Sequence, residues 1–132
     1  MLRCFVLFAL IAAPLFAQTS GEIRSGFDAL AKAHPDHLRI ETLAKDRPNL
    51  FAAVLRDTRT AGDRPGILIL GSLRGNEAAP GAACLQLAQA LLSDGDSRAL
   101  LAKCEIIIIP TPNPDARDLR YGADIVYWTK RV

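Results

Sequence analysis

The spacing of apolar residues changes along the chain, and each change marks a new element. An unbroken apolar run, Cys4 to Ala13 (CFVLFALIAA), comes first, after a single positive charge at Arg3. Between Glu22 and Ala33, Ile23, Phe27, Leu30 and Ala31 recur at helical spacing, and Pro35 stops the pattern. Leu38 to Leu43 (LRIETL) alternates apolar and polar, as a half-buried strand does. Asp46-Arg47-Pro48-Asn49 carries turn chemistry, and Leu50 to Leu55 (LFAAVL) follows as a second strand, so the two predict a hairpin.

Thr60 to Pro65 is a polar loop, and Gly66 to Gly71 (GILILG) is a short apolar run bounded by glycines, which suits a strand buried on both faces. Ala78 to Leu92 predicts a helix with Pro80 in its first turn and an apolar stripe of Cys84, Leu87, Ala88 and Leu91. Ser93 to Asp96 breaks it, and Ser97 to Lys103 reads as a short helix. Glu105 to Pro110 (EIIIIP) is a second buried strand that ends in the turn Thr111 to Asp115. Two apolar strands joined by a helical crossover form a β-α-β unit with parallel pairing. The expected fold class is therefore α/β, a mixed β-sheet with flanking helices. Beyond Asp115 only Ile125 to Trp128 is apolar enough for another strand, so the sheet is expected to end with a core strand at its edge.

A length of 132 residues allows one small domain. The opening apolar run is shorter than the roughly 20 residues a membrane span needs. With Arg3 before it and Ala17 ahead of Gln18, it reads as an export signal, residues 1–17, and not as a stable membrane anchor. Residues 18–132 then form the domain, and a secreted or periplasmic location follows. The whole chain has 16 basic and 14 acidic residues; losing Arg3 leaves 15 against 14, a charge of about +1. With aromatics at 6% and no basic run among them, a nucleic-acid partner is excluded. Cys84 and Cys104 remain after export. Export permits a disulfide between them. The preferred reading is two small buried hydrophobes, one on a helix face and one beside a strand.

Ligand sites in open α/β sheets form outside the carboxyl ends of parallel strands. Two polar segments fall there, Ser72-Leu73-Arg74-Gly75-Asn76-Glu77 and Thr111 to Asp115. Read locally, Arg74 and Glu77 are three apart and can simply pair, and a glutamate in a first helical turn suits the helix dipole. The ordered set says more. Gly66 to Glu77 resembles the zinc-binding segment of the carboxypeptidase A-like metallocarboxypeptidases, where a strand leads into a His-x-x-Glu motif. The preceding hairpin, the following helix, the apolar strand, Asn113-Pro114-Asp115 and Tyr127-Trp128-Thr129-Lys130-Arg131 fall in that family's order. The resemblance runs from about Arg39 to Arg131 and corresponds to the first part of a catalytic domain. It implies a partial carboxypeptidase-like α/β/α sandwich, zinc as cofactor, and a peptide or protein substrate cut at its C-terminal bond.

The departures bear on mechanism. Glu77 occupies the family's glutamate ligand position, but Arg74 stands where the first histidine belongs. A guanidinium has donors only and stays protonated, so it repels a metal cation. The second histidine and the general-base glutamate lie beyond the segment matched here. Ala116 replaces the usual glycine after Asn113-Pro114-Asp115, and Thr129 stands where the family often has an arginine, a role Arg131 would take after a small shift. The resemblance makes Asn76, Asn113, Asp115 and Arg131 the substrate-side candidates. Catalysis by zinc-bound water needs about three protein ligands and an open position. The catalytic set is therefore incomplete, and zinc binding is expected to be weak or absent. His34 and His37, the only histidines, precede the hairpin and read as a solvated loop. The expectation is a truncated or degenerate metallocarboxypeptidase, inactive alone, with a second chain that completes the domain as one candidate partner. The alternatives are a non-catalytic exported peptide-binding module and a remnant of a related zinc acyl-hydrolase.

Overall fold

The computed structural model describes residues 18–119 except Asp94. The expected export signal, the Ile125–Trp128 strand and Arg131 lie outside the described residues. Helix α1 (Ser20–Ala33) leads into strands β1 (Leu38–Ala44) and β2 (Arg47–Leu55). Strand β3 (Gly66–Leu70), helix α2 (Ala78–Ser93), helix α3 (Gly95–Leu100), strand β4 (Glu105–Ile109) and helix α4 (Pro114–Asp118) follow. The four strands form one mixed sheet in the order β1-β2-β4-β3. No helix among the described residues is long and apolar enough to cross a membrane.

Helix α1 begins two residues earlier than the apolar spacing indicates, because a capping box sets its start. The Thr19 side chain accepts from the Glu22 backbone N–H, and the Glu22 carboxylate accepts from the Thr19 backbone N–H. The hairpin is tighter than expected. The chain turns at Lys45-Asp46, and Arg47, Pro48 and Asn49 already belong to β2, with Ala44 opposite Arg47. Pro48 is tolerated because β2 meets β4 only at Ala53–Leu55, so its missing N–H removes no bond from that ladder.

One core joins the helices to the sheet. Ile23 and Phe27 of α1, Phe51, Ala53 and Leu55 of β2, Cys84, Leu85, Ala88 and Leu92 of α2, and Ile106 and Ile108 of β4 are all buried in it. Phe27 meets Phe51 edge to face with ring centroids 5.5 Å apart, a geometry worth about 1 kcal/mol beyond the area it buries. The stripe of α2 is rotated from the one expected: Leu85 and Leu92 enter the core, while Leu87 is exposed. Cys84 and Cys104 are both buried and both free, so the disulfide alternative is not realised.

Strands β3 and β4 pair in parallel, as the β-α-β reading requires, with Ile67 beside Ile106 and Ile69 beside Ile108. The expectation that β3 is buried on both faces does not hold. Ile67, Leu68 and Leu70 are 46%, 60% and 46% exposed. The reason is its place in the sheet: among the described residues β3 pairs with β4 alone and forms an edge. Its Leu68 and Leu70 share one face with Ile107 and Ile109, and these two isoleucines are themselves only partly buried.

At the end of β3 the backbone runs very close to β4. The Gly71 N–H donates to the Ile109 carbonyl and the Ser72 N–H to the Pro110 carbonyl, both at 2.9 Å. A Cβ at Gly71 would lie 2.1 Å from the Pro110 oxygen, so only glycine permits this approach.

Two substitutions test this packing. Phe27→Ala is expected to lower unfolding stability by about 3–5 kcal/mol, read from urea denaturation. Leu68→Lys places a charge on a flat apolar edge and is expected to raise the concentration at which light scattering first reports self-association, with little change in melting temperature.

Candidate functional site

The parallel pairing of β3 and β4 brings the segments after them to one end of the sheet. Residues 72–77 leave β3 there, and residues 111–118 leave β4. Ser72, Thr111 and Asn113 are buried. The Ser72 hydroxyl accepts from the Gly81 N–H at 3.0 Å, fixing the start of α2 against the β3 terminus. The Glu77 N–H donates to the Arg74 carbonyl at 3.0 Å, so residues 74–77 form a turn.

That turn places the two sequence-singled residues together. Arg74 Nη1 lies 3.8 Å from Glu77 Oε1, with side-chain exposures of 67% and 42%. At such exposure the pair contributes about 0–1 kcal/mol, so it is a local arrangement and not a fold determinant. Asn76 is exposed beside it.

The segment after β4 behaves differently. Asn113 Oδ1 accepts from the Ala116 N–H at 3.1 Å and caps α4, with Pro114 in the first turn. Its Nδ2 and the Thr111 Oγ1 are buried without a hydrogen-bond partner. Asp115 is half-buried, with its carboxylate 3.7 Å from Arg47 Nε of β2. Asn113 and Asp115 thus stand at the same sheet end as Glu77, Asn113 held inside and Asp115 turned toward the hairpin.

The residue that ties this end together escaped the sequence reading. Arg117 of α4 is only 5% exposed. Its Nη1 donates to the Ser72 hydroxyl at 3.2 Å and to the Glu77 carbonyl at 2.9 Å, while Nε and Nη2 donate to the Gln18 carbonyl at 3.2 and 2.6 Å. Next to it, the Asp118 carboxylate accepts from the Ser20 N–H at 2.8 Å and from the Ser20 hydroxyl. Helix α4 therefore fastens the start of α1 to the turn that carries Glu77. The sequence presents this stretch as a turn and gives no sign of helix α4, and the burial of Arg117 depends on contacts with residues 40 to 99 positions away.

The donor set does not fit zinc. Arg74, which the sequence aligns with the family's ligand histidine, presents a guanidinium with donors only, 3.8 Å from the Glu77 carboxylate. His34 ends α1, its N–H donating to the Leu30 carbonyl, and His37 faces Arg59 at the other end of the sheet. No cluster of three or more His, Cys, Asp or Glu side chains suited to a metal ion occurs among the described residues. The Cys84 thiol, raised above its ordinary value by burial, is not a ready thiolate ligand.

The family described as zinc carboxypeptidase matches residues 23–131, and the chain belongs to it. Its structure is similar to that of thrombin activatable fibrinolysis inhibitor, with a TM-score of 0.67 and 16% identity over 81% of this chain and 30% of that one. It is also similar to bovine thrombin-activatable fibrinolysis inhibitor, solved in complex with tick carboxypeptidase inhibitor. There the TM-score is 0.66 and the identity 17%, over 80% of this chain and 36% of that one. These identities show a shared fold. The chain spans about a third of the length of both structures. No curated protein matches it.

Arg117→Met keeps most of the side-chain volume and removes the donors. It leaves the Ser72 hydroxyl and two carbonyls without these bonds and is expected to destabilise the fold by about 3 kcal/mol. Hydrogen exchange is the check: amides of residues 18–20 and 74–77 should lose protection before those of β2 and β4.

Proposed function

We propose that this chain is the amino-terminal part of a zinc carboxypeptidase catalytic domain that keeps the family's substrate-side framework but, alone, neither holds zinc tightly nor hydrolyses peptide bonds. The observation that carries this reading is the Arg74–Glu77 pair. A metal ion placed against Glu77 would meet a permanent positive charge within a few ångströms, and Coulomb repulsion at that range opposes binding even in a solvated site. The zinc-water mechanism of the family also needs further ligands and a general base. The described residues gather none of these around Glu77.

The same framework suits a peptide ligand. An exposed guanidinium at Arg74 is matched to a carboxylate, including the carboxylate that ends every peptide chain. Binding of a peptide C-terminus without cleavage is the second reading, and Arg74 is the residue that would carry it. In either case the protein acts outside the cytoplasm, exported by its first 17 residues.

The edge of strand β3 supports the reading of a partial domain. It offers an apolar edge and an exposed Leu68 and Leu70, the surface that a further strand and covering helices would bury in a complete α/β/α sandwich. A second polypeptide supplying those elements would complete the sheet there.

Two measurements test the assignment. The purified protein, supplied with zinc and an N-acylated peptide, is expected to release no C-terminal amino acid above background. Arg74→His should strengthen zinc binding in calorimetry by about tenfold, one favourable ligand's worth, without creating turnover. Zinc-dependent release of C-terminal residues by the unmodified chain would overturn the proposal.

A further inference from the structure

Residues 18–20 are held more tightly than the start of α1 requires. The peptide unit that joins Gln18 to Thr19 has both of its polar groups engaged. Its carbonyl accepts from Arg117 Nε and Nη2 at 3.2 and 2.6 Å, and its N–H donates to the Glu22 carboxylate at 2.6 Å. The following residue is fastened as well. The Ser20 N–H and hydroxyl donate to Asp118, and the hydroxyl accepts from Asn49 Nδ2 at 3.2 Å. Residues ahead of a first helix are ordinarily among the least ordered of a domain. Here they are built into the junction of α1 with α4.

Gln18 is also the residue at which the exported chain would begin. The expected cut between Ala17 and Gln18 turns the Gln18 nitrogen into a free α-amine. A glutamine in first position carries its own electrophile, because its α-nitrogen and side-chain Cδ are spaced to close a γ-lactam. Among the described residues no hydrogen bond engages the Gln18 side-chain amide, and the residue is half-buried. The side chain is therefore not held away from the nitrogen by a polar contact.

We infer that Gln18 is a modification site, cyclised to pyroglutamate in the exported protein, and that the fold protects the cap so formed. The neutral α-amine attacks the side-chain Cδ. An N–Cδ bond forms, the Cδ–Nε2 bond breaks, and Nε2 leaves as ammonia with the proton given up by the α-nitrogen. No oxidant, reductant or second substrate enters. Both reacting atoms lie off the Gln18 carbonyl, so the bonds to Arg117 survive the ring closure. The inference rests on the export reading, which supplies the free amine.

The clamp on the next peptide unit governs how long the cap lasts. A peptidase that removes a terminal pyroglutamate must attack the Gln18 carbonyl carbon and release the Thr19 nitrogen. Attack bends a planar amide out of its plane. Arg117 and Glu22 hold the two polar groups of that same amide. Removal of the cap therefore waits on local opening of residues 18–20.

The test expresses the full chain in a secreting host and reads the intact mass and first peptide of the exported protein. The expected product is Gln18–Val132 lighter by one ammonia, with no free amine for Edman degradation. Gln18→Ala keeps the backbone carbonyl, and should melt near the unmodified protein and begin with a readable alanine. Pyroglutamyl peptidase should uncap the folded protein at least about tenfold more slowly than a free peptide with the same first residues, as expected when cleavage needs local opening. Arg117→Met should narrow that gap. An unmodified glutamine at residue 18 would overturn the inference and leave the export reading standing. Retention of residues 1–17, or a cut elsewhere, would overturn the export reading and the inference with it. Equal uncapping of folded protein and free peptide would overturn the role given to the clamp.

Discussion

Arg117 sits where three stretches of chain converge, and the candidate site exists in its present form because of it. The guanidinium is buried at the sheet end and donates to Gln18, Ser72 and Glu77 at once. A buried guanidinium without acceptors would be strongly destabilising, so the segments that supply them are held to it. Ser72 can serve only because Gly71 lets the backbone come against Pro110. Gln18 can serve only because the Thr19 capping box starts α1 immediately after it. Sheet geometry, helix start and the placement of Glu77 are thus linked through one side chain.

The two ends of the sheet carry different groups. The carboxyl ends of β3 and β4 lead into the turn of Arg74 and Glu77 and the capped helix of Asn113 and Asp115. The amino ends gather arginines from α3 and from the loop after β2, with Asp57 bracing one of them. Between the ends, the core is continuous from α1 through β2 and β4 to α2, and it thins toward β3. Membership in the zinc carboxypeptidase family fixes the ancestry of the Glu77 end. In the proposed reading, a guanidinium at Arg74 in place of a ligand imidazole changes what that end can hold.

Much of this was legible in the chain itself. The helical spacing of Ile23, Phe27 and Leu30, the alternation of Leu38 to Leu43 and the apolar blocks Gly66–Gly71 and Glu105–Pro110 report local geometry, and local geometry is what periodicity encodes. The order of those blocks around Glu77 and Asn113-Pro114-Asp115 was enough to point to the family. The pairing of Arg74 with Glu77 followed from a spacing of three. The capping box of Thr19 and Glu22 was also written in the sequence, and the apolar pattern alone set the helix start too late.

Tertiary structure decided the rest, since it depends on which residues meet across long separations. An apolar strand reads the same whether its neighbours cover it or not, so the exposure of Leu68 and Leu70 came only from the strand order β1-β2-β4-β3. Two cysteines in one core remain thiols because packing, not composition, sets their separation. The rotation of α2 that buries Leu85 and exposes Leu87 was set by the surface it rests on. Arg117 follows a stretch that the sequence presents only as a turn, and its role rests on Gln18, 99 positions away, which supplies its acceptor. The chain specified its elements and the chemistry placed on them; the contacts between distant elements determined which of those groups are buried, paired or left facing water.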